Sequence, residues 1–144
     1  MVIEVQEVDQ VSDDVVAAFD RLIPQLSTSS AVPTVEQLHQ MARSDATVLF
    51  AARQDDTIVG LLTLVVVRIP TGLRARIEDV VVDEAARGRG IGAHLSRAAI
   101  ARAEAMGAKT VDLTSRPTRT AANRLYERLG FEERQTRVYR FTLG

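Results

Sequence analysis

The chain has 144 residues, 46% of them hydrophobic and 26% charged, with a formal net charge of −1; these are the values of one ordinary globular domain. It contains no cysteine, which excludes disulfides, zinc–thiolate centres and thiol nucleophiles from its chemistry. The near-neutral balance argues against bulk attraction to nucleic acid or to a membrane surface. No stretch reaches the ~18 apolar residues of a membrane span, and Met1-Val-Ile-Glu-Val5 has neither a basic region nor a long apolar run, so a cytoplasmic location is expected.

Charge is unevenly distributed. Residues 1–67 carry 3 basic and 10 acidic side chains, a balance of −7, and residues 68–144 carry 15 and 9, a balance of +6. All the basic residues but Lys109 are arginine. That bias reads first as the composition of a GC-rich genome; beyond it, the basic half suits an anionic ligand and the acidic half a cationic one.

In chain order, Val2 to Glu7 alternates weakly and predicts a first strand. Ser12 can cap a helix whose apolar residues are Val15, Val16, Phe19, Leu22 and Ile23. Residues 25–33 form a Ser/Thr/Pro-containing linker. Thr34-Val-Glu-Gln37 fits a capping box, and the short helix after it should turn Val35, Leu38 and Met41 inward. Three strands follow as an antiparallel meander: Thr47–Arg53, Thr57–Val67 and Arg74–Val82, with turns at Gln54–Asp56 and Pro70–Gly72. A glycine-rich turn then opens a helix from Ile91 to Met106, with Ile91, Leu95, Ala99, Ala103 and Met106 inward and Gly107 as its stop. Thr110–Thr114 is a short strand. Thr118 or Thr120 caps a second helix that Gly130 ends. Phe131–Glu133 and Arg137–Leu143 predict two closing strands. The β-α-β unit around the glycine turn should be a right-handed parallel crossover within a mixed sheet.

The segment Ile77-Glu-Asp-Val-Val-Val-Asp-Glu-Ala-Ala-Arg-Gly-Arg-Gly-Ile-Gly92 carries the chemistry. Alternating glycines let a backbone curl so that successive N–H groups face one side, and the helix behind them adds its own free N–H groups and the positive end of its dipole. Such a turn suits a phosphate or pyrophosphate, and Arg87 and Arg89 add charge. The plainer alternative is a turn that uses glycine only for packing. Gly88-x-Gly90-x-x-Ala93 also satisfies the dinucleotide fingerprint, with Asp112 about 20 residues on. Against that, the crossover follows three other strands, and the residues Asp83–Ala86 separate strand from turn. No G-K-[ST] is present, so this is not a triphosphate P-loop.

Read instead as R-x-x-G-x-G, Arg87-x-x-Gly90-x-Gly92 resembles the central motif of the GNAT superfamily of acyl-CoA-dependent N-acetyltransferases. A second motif of that family, an asparagine and then a tyrosine on a helix leading to Gly-Phe, is matched by Asn123, Tyr126 and Gly130-Phe131. The resemblance is specific from Ile77 to Phe131 and extends to nearly the whole order of elements. It implies a single α/β (α+β) domain over 1–144, with a twisted, mostly antiparallel mixed sheet of six to seven strands, about four helices and a central parallel βαβ unit.

What the resemblance implies for function is transfer of an acetyl group from acetyl-CoA to a primary amine. The pyrophosphate would sit on the N–H groups of Arg87, Gly88, Arg89, Gly90, Ile91 and Gly92, and the pantetheine arm would pair with the backbone of Val80-Val81-Val82. Asn123 would contact the pantetheine or acyl end. Arg119 could reach a phosphate. Tyr126, in the same narrow helical face, would protonate the departing thiolate. A phenol of pKa about 10 is a workable acid for a thiol of about 8.5 when held close. Glu78 is the candidate base for the amine, with a salt bridge to an arginine as its alternative reading; Asp79 should face the other way on a regular strand. Arg116, Arg119 and Arg124 otherwise read as a solvated basic face. His39 and His94 stand apart from any acidic cluster, so no metal is expected. Two other readings remain: a non-catalytic acyl-CoA-binding module of the same fold, and a small dinucleotide-binding domain. Homodimers are frequent in the family; the acidic N-terminal half favours a cationic acceptor.

Overall fold

Three long strands whose apolar residues alternate across two buried faces dominate the computed structural model, which describes residues 2–144. The chain divides into a unit ending at Thr114 and a second from Ser115 to Gly144. In the first unit β1 (Ile3–Glu7), β2 (Thr47–Gln54), β3 (Thr57–Ile69), β4 (Gly72–Val82) and β5 (Val111–Asp112) form one sheet in the order β1-β2-β3-β4-β5. The first four are antiparallel neighbours, and β5 lies parallel to β4. The connection between those two contains α3 (Ile91–Met106), the expected crossover.

The meander's registers assign the faces. Leu49, Ala51, Leu61 and Val81 join one buried cluster with Val15, Ala18, Phe19 and Leu22 of α1 (Asp13–Leu26) and Leu38 of α2 (Val35–Arg43). On the opposite face α3 lies so close to β3 that a Cβ on Gly60 would meet Ile91 Cγ2 at 2.9 Å and Leu95 Cδ1 at 3.0 Å. Glycine is therefore a packing requirement at that point of the strand.

The capping box is present in full: Gln37 N–H donates to Thr34 Oγ1 at 3.1 Å, and Thr34 N–H donates to Gln37 Oε1 at 2.9 Å. Ser12 is the N-cap of α1, but its hydroxyl donates to Asp14 rather than accepting from the backbone. Of the expected inward residues of α2, Leu38 is fully buried while Val35, in the first turn, is exposed. On α3 Ile91, Leu95, Ala99 and Ala103 are buried as expected, Met106 is half-buried, and Ser96 joins them at 0% exposure.

In the second unit α4 runs Thr120–Arg128, with Arg119 rather than a threonine at the N-cap position. The expected strands at 131–133 and 137–143 do not form. The sheet accordingly has five strands among the described residues, against six to seven expected. Period-two alternation specifies which side chains share a face but supplies no ladder partner, and a strand without one has no stability of its own.

Candidate functional site

The third strand of the meander is irregular where it matters. Ala75 N–H donates to Thr110 O on the β5 side at 3.0 Å. On a regular strand Ile77, Asp79, Val81 and Asp83 would face the same way. Yet Asp83 N–H donates to Val59 O, on β3, at 2.8 Å. One extra residue accounts for the reversal: the β3–β4 register slips between Leu61 and Thr63, and Asp79 holds a left-handed φ of 51°. This is a β-bulge.

The bulge has two results. It moves the Val81 side chain into the α1–α2 core, opposite Leu61. It also turns the backbone N–H and C=O of Val82, and two residues back those of Val80, away from β3. The β4–β5 ladder consists of two pairs, Ala75–Val111 and Arg76–Asp112, so the bulged half of β4 lies beyond the end of that ladder. The expectation of a regular strand at Asp79 is thereby corrected; a lone aspartate in a valine-rich strand was the available signal, since Asp tolerates left-handed backbone.

Glu78 lies opposite Thr63, on the face that carries Leu61. Its carboxylate accepts from Arg76 Nε at 3.0 Å, and both side chains are about two-fifths exposed. The salt-bridge alternative is thus realised in the structure, with the carboxylate still open to solvent.

Beyond Val82 a single 3-10 turn, Glu84–Ala86, leads into Arg87-Gly-Arg-Gly90, all four exposed. Gly88 and Gly90 hold φ values of 81° and 76°, and a Cβ at either would meet nothing within 4 Å. Glycine is needed there for backbone conformation, and the space above is open. The first intrahelical bond of α3 is His94 N–H to Gly90 O at 3.1 Å. The N–H groups of Ile91, Gly92 and Ala93 precede it, and a glycine N-cap brings no side chain to compete for them. Arg89 is turned sideways, donating to Gln54 Oε1 at 2.8 Å. His94 is exposed, and no metal-binding group of His, Asp and Glu exists among the described residues. The same residues contain no helix long and apolar enough to cross a membrane.

The other expected site residues belong to the second unit. Asn123 donates its amide to Arg116 O at 3.1 Å, tying α4 to the loop before it. Tyr126 is buried, and its ring meets Phe131 edge-on at 5.7 Å. Burial pushes its phenol above the ordinary tyrosine range, partly offset by the Arg119 guanidinium. Phe131 N–H closes the end of α4 on Tyr126 O at 3.0 Å. The sequence motif Asn-x-x-Tyr…Gly-Phe is therefore also a local packing unit, held by a ring contact and a backbone bond.

Solved structures share this fold. A transcriptional regulator from Bacillus halodurans C-125 aligns with a TM-score of 0.80 at 26% identity, covering 98% of this chain and 100% of that one. An acetyltransferase from Trypanosoma brucei aligns with a TM-score of 0.80 at 25% identity, covering 99% and 100%. AAC(6')-Iy, in complex with the bisubstrate analog CoA-S-monomethyl-acetylneamine, aligns with a TM-score of 0.79 over 99% and 100% of the two chains; at 18% identity that likeness speaks to the fold alone. No curated protein matches the sequence. The profile of the Acetyltransferase (GNAT) family matches residues 15–131, a span that begins in α1 and takes in the bulged strand, the glycine turn and the Tyr126–Phe131 pair, and the chain belongs to that family.

Proposed function

We propose that the protein is an N-acetyltransferase that moves an acetyl group from acetyl-CoA to a primary amine. The observation that carries the reading is the open glycine turn at the head of α3, with two left-handed glycines and a first helical turn free of side-chain caps. That donor set fits a pyrophosphate: backbone N–H groups, a helix N-terminus and Arg87 meet diffuse negative charge without a metal. The outward backbone groups of Val80 and Val82 fit an extended, amide-containing arm, which they would hold as a sheet edge holds an added strand.

Acetyl-CoA supplies the activated acetyl thioester; the chain's own groups bind it and manage protons. Glu78, directly or through water, takes a proton from the ammonium form of the acceptor, because an amine attacks only when neutral. Its pair with Arg76 keeps the carboxylate in place on its strand. Tyr126 delivers a proton to the departing sulfur, and its raised pKa keeps the phenol protonated throughout the neutral range. With no cysteine in the chain, direct transfer without a thiol-bound enzyme form follows. Arg119 and Asn123 complete the proposed coenzyme contacts, and the acidic N-terminal half favours a cationic acceptor.

Calorimetry with acetyl-CoA and, separately, NADH tests the reading. Micromolar binding of acetyl-CoA alone is expected, followed by turnover with one member of a panel of amines. Binding of NADH alone overturns it in favour of the dinucleotide fingerprint. Tight acetyl-CoA binding with no turnover on any amine favours the non-catalytic binding module.

A further inference from the structure

The glycine turn is anchored at its entry by side chains from an element remote in sequence. Arg21 and Gln25 lie one turn apart on α1, so they share a face. Gln25 Oε1 accepts from Glu84 N–H at 2.9 Å, and Gln25 Nε2 donates to Asp83 Oδ1 at 3.5 Å. Arg21 Nε stands 3.4 Å from Asp83 Oδ2, and the other arm of its guanidinium donates to Ile58 O. Asp83 in turn accepts from Ala85 N–H at 3.1 Å, and its own N–H is fixed to Val59 O at 2.8 Å. The Ala85 N–H, with Gln25 and Arg21 adding to it, holds the Asp83 carboxyl below the usual carboxylate range.

From Arg87 to Gly90 the turn is exposed, and nothing packs over the Cβ side of its two left-handed glycines. A backbone this permissive loses more conformational freedom on ordering than any other. Its position when no ligand is bound is thus set from the ends: by α3 on one side and by the 3-10 turn on the other. That 3-10 turn is the part α1 grips.

Resting on the coenzyme reading above, we propose that Gln25 and Arg21 are positioning residues for the coenzyme. They hold Asp83 and Glu84 so that the N–H groups of residues 87–92 are pre-aimed at the pyrophosphate, and part of the ordering cost is met before binding. Neither touches the coenzyme.

The test compares acetyl-CoA binding, by calorimetry, to the wild type, Gln25→Leu and Arg21→Met, with Thr34→Ala as a control that loses the α2 capping box but none of these contacts. Each α1 variant is expected to bind about tenfold more weakly, the size of a lost charge-assisted or backbone hydrogen bond. Amide hydrogen exchange of the ligand-free protein should speed up across 84–92 in those variants and not in Thr34→Ala. Thr34→Ala should lower the melting temperature and leave the affinity within about twofold at a temperature well below melting. Wild-type binding with unchanged affinity and unchanged exchange in both α1 variants overturns this proposal and leaves the coenzyme reading standing. Equal weakening in Thr34→Ala also overturns it, because general destabilisation then suffices. No binding by the wild type overturns the coenzyme reading, and this proposal with it.

Discussion

Tyr126 has an observed packing role and, in the proposed function, a chemical one, and the two separate by substitution. Tyr126→Phe keeps the ring that meets Phe131 edge-on and removes the hydroxyl that would supply the proton. As a general acid it should be worth roughly 10²-fold or more in kcat, with acetyl-CoA affinity within about twofold, measured by steady-state kinetics and calorimetry. The same phenol gives a pH signature. Its folded pKa is raised, so above about pH 10, the ordinary tyrosine value, the unfolded chain sheds a proton that the folded chain retains. Stability is unaffected below that point and falls as pH rises beyond it. Urea midpoints between pH 9 and 11 should drop more steeply for the wild type than for Tyr126→Phe. Ser96 poses the opposite case: it is fully buried on α3, and its hydroxyl has no hydrogen-bond partner among the described residues. An orphaned buried hydroxyl costs about 1–3 kcal/mol, so Ser96→Ala should raise stability by about 1 kcal/mol or more in chemical denaturation.

Among the elements, α3 shows how one missing side chain sets a distance. Gly60 admits Ile91 and Leu95 to the surface of β3. A larger residue there must push the helix outward, and the helix begins at the glycine turn. Gly60→Val should cost about 1–3 kcal/mol by overpacking and weaken coenzyme binding as well; thermal melts and calorimetry on one preparation check both. The elements most legible in the sequence were those whose ends carry their own chemistry. The Thr34–Gln37 box and the Gly90 and Gly107 boundaries of α3 are local signals, and the structure places them where the residues point. The bulge at Asp79 escaped because uniform valines hide a change of parity: Val80, Val81 and Val82 read the same in either phase. Val35 escaped because helical spacing gives an angle around the axis and not how far along it the sheet extends. The network from α1 to Asp83 joins residues 58 and 59 positions apart, and a single sequence holds no signal for that pairing.

Taken as a whole, the molecule changes character along its length. The acidic first half holds β1, β2, most of β3 and the helices α1 and α2, and the basic second half holds β4, the glycine turn, α3, β5, α4 and a C-terminal run of irregular backbone. In that run Val138, Tyr139, Phe141 and Leu143 are 76–87% exposed, and the exposed Arg134, Arg137 and Arg140 lie in the same run. Trypsin should therefore cut first at these three arginines, well before any site within the sheet, as mass spectrometry of a brief digest would show. Protection of the run in the intact protein would mean that something covers its apolar face. The alternation at 137–143 was plain from the sequence, and the missing ladder was not, because pairing is a property of two segments.

The bulge also decides which kinds of experiment can see the proposed coenzyme arm's contacts. The groups that β4 turns outward at Val80 and Val82 are main-chain amides, shared by every residue type but proline. Exchange of either valine for another β-branched or aliphatic residue would leave them intact, so a saturation screen of this strand would score the positions as tolerant and pass over them. Replacing the amide of Val82 by an ester, through incorporation of the α-hydroxy acid, deletes one N–H and leaves the side chain untouched. Backbone chemistry of that sort, rather than the genetic code, is the tool that addresses a surface built from peptide bonds.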